Sequence, residues 1–75
     1  MSKYSLIGVD GNAFAIMGYT ARALEREGLG KLVDEMYEKA ESGTYYHLIA
    51  VCDSYVSKAN EAAEKAGYVD EKEDF

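Results

Sequence analysis

No proline interrupts this chain, so glycine alone punctuates it. Gly8 and Gly11 bracket a first turn, Gly28 and Gly30 a second, Gly43 a third and Gly67 a last. Glycine ends helices and fills turns because it enters the left-handed region without a steric cost. The stretches between these breaks carry apolar residues at three- and four-residue spacing. That is the period of a helix buried on one face.

The first such stretch spans residues 12–27. Asn12 is suited to cap it, since its side-chain oxygen can accept from an otherwise orphan first-turn N–H. Phe14, Met17, Ala21 and Leu24 make the stripe, widened by Ile16 and Ala23, and Gly28 stands where a C-terminal cap belongs. Gly18 in the interior costs about 1 kcal/mol against alanine, so a close approach by a neighbouring helix is expected there. The second stretch spans residues 31–41. It turns Leu32, Val33, Met36, Tyr37 and Ala40 inward and Asp34, Glu35, Glu38 and Lys39 outward, with Glu35 and Lys39 spaced as an i,i+4 pair.

Thr44 is placed to cap the third and longest helix, whose stripe reads Leu48, Ile49, Cys52, Tyr55, Val56, Ala59 and Ala63 before Gly67 stops it. Its last turns hold only small apolar residues, which either pack closely on something or project into solvent. Ahead of the first helix, residues 6–9 (Leu-Ile-Gly-Val) read as a short β-strand. A strand that short needs a partner, from Tyr68-Val69 or from a second copy. The expected fold is mainly α within an α+β arrangement: one three-helix domain over residues 1–69 with a short N-terminal strand. A disordered acidic tail is expected over residues 70–75.

A chain of 75 residues buries only about 60% of its unfolded surface, so it gains from a staple or from association. Cys52 is the single cysteine, and His47 the single histidine, so neither a disulfide nor a Cys/His metal site is available. A homodimer is therefore one expected route to stability. Of the net charge of −6, residues 61–75 contribute −4, from six acids against Lys65 and Lys72, and residues 1–60 contribute −2. Without a basic excess, direct nucleic-acid binding is disfavoured, because it runs on phosphate neutralisation by Lys and Arg. The nucleic-acid alternative is then an accessory factor whose acidic surface mimics DNA. No apolar run has the length of a secretory or membrane-spanning segment, so a cytoplasmic protein with a reduced thiol and no membrane role is expected.

Asp10-Gly11-Asn12 is the first candidate site, because a carboxylate at a strand end can hold a metal or act as a base. The phrase Leu-Ile-Gly-Val-Asp-Gly-Asn-Ala is also similar to the opening strand of metal-dependent 5′ nucleases. Those enzymes gather several carboxylates from a sheet that this chain is too short to build. A small metal-assisted hydrolase using Asp10 is thus the minor reading, and a turn made by Asp10 and Gly11 with Asn12 as cap the major one. Neither glycine pair is followed by the Lys and Ser/Thr of a phosphate loop. His47 and Cys52, five residues apart on a helix, point in different directions and have no third group to orient them. Cys52 reads as a small buried hydrophobe and His47 as a capping or partly buried residue. Seven tyrosines are more than a domain this small can bury. Tyr45, Tyr46 and Tyr19 are the candidate partner surface, and Gly43 and Thr44 are the turn and cap beside it.

Asp10-Gly11-Asn12-Ala13-Phe14, Met17-Gly18 and Arg22-Ala23-Leu24, followed by Glu41-Ser42-Gly43-Thr44-Tyr45 and His47-Leu48, resemble a group of small uncharacterised bacterial and phage proteins. That group shares an Asp-Gly-Asn-Ala-Phe start and a later Ala-Thr-Ser-Gly-Asp-Tyr-Asp-His-Leu-Leu stretch. The likeness covers roughly residues 6–56 and keeps the spacing of the two motifs. This chain departs from it with Glu41 for the threonine, Thr44 for the first aspartate and Tyr46 for the second. The resemblance implies no activity, cofactor or metal. Together these readings lead to a non-enzymatic protein without a cofactor, acting through an unknown protein partner or a second copy of itself.

Overall fold

The computed structural model describes residues 2–69. Three helices follow one another as α1 (Ala13–Arg26), α2 (Val33–Ala40) and α3 (Tyr45–Lys65), with a single 3-10 turn over Gly30–Leu32 leading into α2. The acidic stretch at residues 70–75, expected to be disordered, lies outside the described residues.

Helices α1 and α3 each begin where a side chain accepts a first-turn N–H, whereas α2 continues directly from the 3-10 turn with no side-chain cap. Asn12 Oδ1 accepts from Phe14 N–H at 2.8 Å and Thr44 Oγ1 from His47 N–H at 3.2 Å. After α1 the chain turns by way of Gly28, at φ +77°, and Leu29 N–H reaches back to the Leu24 carbonyl at 2.8 Å. That pairing closes the helix with one of its last carbonyls satisfied. The 21-residue α3 is the spine, and α1 and α2 pack against it and against each other.

Leu24, Met36, Thr20 and Cys52 are the most deeply buried large side chains, joined by Ile16, Met17, Leu48, Tyr55 and Val56. Thr20 enters this apolar face without cost because its hydroxyl donates to the Ile16 carbonyl one turn back, at 2.9 Å. The small residues late in α3 are packed rather than projecting, with Ala59 and Ala63 fully enclosed.

Residues 6–9 do not form a strand, and no strand occurs among the described residues. Val9 N–H bonds to the Leu6 carbonyl at 3.1 Å, closing a β-turn with Gly8 at φ +87° in its third position. A type II turn needs that φ, which glycine supplies freely. The segment's polar backbone is then satisfied locally and by side chains rather than by a ladder. Asn60 accepts from Tyr4 N–H at 2.8 Å and donates to the Tyr4 carbonyl at 3.0 Å. Ser5 N–H bonds to the Tyr19 hydroxyl at 2.9 Å. The N-terminal segment is therefore a strap laid across α1 and α3.

Two expectations for α1 also change. Phe14 leaves the core and is 79% exposed. At roughly 100° per residue, the buried face centres on Ala13, Met17, Thr20 and Leu24, and Phe14 falls at its edge in the first turn. Gly18 marks no close helix approach: a β-carbon there would meet the guanidinium of Arg22, from the same helix, at 3.4 Å.

Candidate functional site

The turn before α1 and the corner between α2 and α3 meet at one end of the molecule. Asp10 Oδ1 accepts from Asn12 N–H at 2.9 Å, which tightens the turn that Asn12 then converts into a helix start. Across from it, the α2–α3 corner is built around His47. Its Nε2 donates to the Lys39 carbonyl at 2.9 Å, and Ser42 Oγ donates to that same carbonyl at 2.8 Å. Both bonds satisfy the open C-terminal end of α2. Gly43 is required by this arrangement, because a β-carbon there would lie 2.9 Å from the imidazole ring. The Tyr45 hydroxyl then donates to the Gly11 carbonyl, joining the two turns.

Between them lies a groove of about 430 Å³. Ala13, Met17, Ala40 and Leu48 line it with apolar surface, Phe14 and Tyr45 stand beside it, and Glu41, Gly43 and Thr44 complete the lining. Tyr46 extends the aromatic surface, its ring set edge-on to that of Tyr45 with centroids 6.0 Å apart. Phe14 and Tyr46 are 79% and 83% exposed, which is unusual for such large side chains. The remaining candidate, Tyr19, is engaged elsewhere: it holds the strap at Ser5 and meets the Tyr4 ring edge-on at 6.5 Å.

The lining of the groove is mostly apolar. Glu41 is the single ionisable carboxylate or amine in its lining. The His47 nitrogen that reaches the corner is occupied by a backbone carbonyl, and Cys52 is sealed in the core, where burial pushes its thiol up. Among the described residues no three His, Cys, Asp or Glu side chains are grouped so as to hold a metal ion. None of the described helices is long and apolar enough to cross a membrane.

No protein-family model matches the chain, and no curated protein or solved structure matches it. The site therefore rests on its own geometry. Sequence reasoning missed Phe14 as a surface residue because it took the stripe from apolar residues alone. Thr20 carries the signal that would have corrected the phase, since it sits at the stripe's centre and can satisfy its own hydroxyl. Glu41 enters the sequence reading only as the end of the second helical stretch and as a departure from the resembled motif.

Proposed function

We propose that this chain is a small non-enzymatic binding module, of the bacterial or phage kind that it resembles. It holds another protein, or a second copy of itself, at the groove between the α1 turn and the α2–α3 corner. The observation that carries this reading is an apolar-floored groove of about 430 Å³ lined by Phe14 and Tyr45, with Tyr46 set edge-on against Tyr45; Phe14 and Tyr46 leave most of their surface in water. Aromatic side chains bring large contact area for little rotamer entropy, and they dominate binding hot spots when a partner desolvates them. The cap and turn residues Asp10, Gly11, Asn12, Gly43 and Thr44 act as scaffold, holding both walls in register. The two sequence stretches that carry the resemblance, residues 10–14 and 41–48, line this one groove. That convergence supports a shared role for them.

Photo-crosslinking tests the reading. A benzophenone amino acid replacing Phe14 or Tyr46 in the full chain, expressed in living cells, is expected to capture a discrete protein adduct. The same probe at exposed Glu61, late in α3, serves as the control. Equal adducts from all three positions, or none from Phe14 and Tyr46, would overturn the proposal. An adduct of twice the chain's mass would identify the second copy as partner.

A further inference from the structure

The groove's charge narrows what can fill it. Glu41 is the C-cap residue of α2, where the last carbonyls already present partial negative charge and a lysine or arginine is the stabilising choice. A carboxylate is thus kept at the helix end that disfavours it, on the lining of a groove otherwise made of neutral side chains. Asp10, exposed beside the Gly11 that Tyr45 grips, adds charge of the same sign. The whole chain carries −6. A second copy brought to this face would set like charge against like charge, which works against self-docking here. The floor selects in the other direction. Ala13, Met17, Ala40 and Leu48 reward an apolar side chain, and the unbranched Met17 adapts to its shape.

Building on the binding role proposed above, we infer that the occupant belongs to a different protein and is a basic-apolar segment. It places one leucine-, methionine- or phenylalanine-sized side chain in the groove and a neighbouring lysine or arginine against Glu41. The ion pair sits at the rim, so it acts mainly on orientation, partner choice and encounter rate, while the apolar side chain holds the complex.

Selection of random peptides against the full chain tests this, followed by fluorescence binding of the strongest synthetic peptide. The selected peptides are expected to pair a bulky apolar residue with Lys or Arg within about four positions, the spacing that neighbours on a helix share. Affinity should fall several-fold between about 50 and 300 mM NaCl as the screening length shortens. Ala13→Trp, at a partly exposed first helical position, fills the groove and should weaken binding by about tenfold or more, on the order of one anchor contact. Amide NMR shifts at Met17 and Leu48 on peptide addition locate the site independently of that variant. Glu41→Lys should reverse the selected charge to acidic and raise Tm by about 2 °C, because it corrects the helix-end charge.

Peptides without a basic bias, or a bias unchanged by Glu41→Lys, would overturn the inferred partner chemistry and leave the groove reading standing. Peptides indifferent to Ala13→Trp that also shift neither Met17 nor Leu48 would overturn the groove reading itself. Light scattering that shows a dimer strengthened by salt and abolished by Ala13→Trp would overturn the choice of a different protein.

Discussion

Two of the places where tyrosine meets the surface are built in opposite ways. At the strap, Tyr4 is 5% exposed, its backbone is gripped from both sides by Asn60, and its hydroxyl donates to Glu27 at 2.5 Å. Lys3 donates to that same carboxylate at 2.8 Å, so the aromatic ring, the phenol and the nearest charges are all used internally. At the groove, Tyr46 and Phe14 stand largely in water, and Tyr45 is anchored by its hydroxyl while 44% of it stays exposed. One end converts its tyrosine into stability. The other leaves its aromatics largely uncovered, and that difference separates surface that the fold uses from surface that it leaves free.

The sharpest way to break the comparison is to truncate the buried member. Tyr4→Ala removes a nearly fully buried aromatic and leaves Glu27 without its phenol donor, and should destabilise the fold by about 3 kcal/mol in urea unfolding. A loss below about 1 kcal/mol would mean that the strap contributes little and the contrast is false. Asn60→Ala is expected to cost less, about 1–3 kcal/mol, by orphaning the N–H and carbonyl of Tyr4 in a part-buried site. Because among the described residues the hydrogen bonds of the strap to α3 run through this side chain, amide exchange at Tyr4 and Ser5 should accelerate with it.

Charge sharpens the same contrast. The Lys3 ammonium, and then the Tyr4 hydroxyl, hold the Glu27 carboxyl below its ordinary value of 4.5. Its folded value is therefore the lower one, and the unfolded chain takes up the proton first as pH falls. The contribution of Glu27 is fully present above its ordinary value and is lost as pH drops through the folded one. Burial, with help from Glu27, moves the Tyr4 phenol the opposite way, above its ordinary 10.0. That contribution is complete below pH 10 and fades as pH rises past it. A stability profile against pH should thus fall at both extremes. Glu27→Gln should flatten the acid limb, and an unchanged acid limb would show that Glu27 does not carry it.

Much of this was legible in the residues, for local reasons. Asn12, Thr44 and Gly28 stand at helix ends because capping is decided within a few residues, and the three helices follow from periodicity. Residues 6–9 look β-prone by residue type, whereas Gly8 at positive φ folds them into a turn and Asn60, more than fifty residues on, takes up the strap's backbone. Contacts of that span leave no local pattern. Tyr19 and Tyr46 were indistinguishable as exposed tyrosines until the strap was in place over one of them. Gly18 looked like a contact point and is not, so its backbone cost stands uncompensated. Gly18→Ala should stabilise by about 0.5–1 kcal/mol from helix propensity alone, with the flexible Arg22 guanidinium moving aside. A loss of stability would show that Gly18 is crowded by more than that side chain.

The smallest expected change in stability is the most telling one. Phe14→Ser and Tyr46→Ser remove aromatic surface that the fold does not bury, so each should alter unfolding free energy by no more than about 0.5 kcal/mol. Serine is a poorer helix former than either side chain only marginally, and the Asn12 and Thr44 caps beside these positions are untouched. Solubility should rise as the apolar patch shrinks. Binding should respond in the opposite sense, with the adduct captured by a probe at the other of the two positions reduced although the protein is as stable as before. If either substitution instead destabilised the chain by as much as Asn60→Ala, the groove aromatics would be structural after all, and the two ends of the molecule would be the same kind of surface.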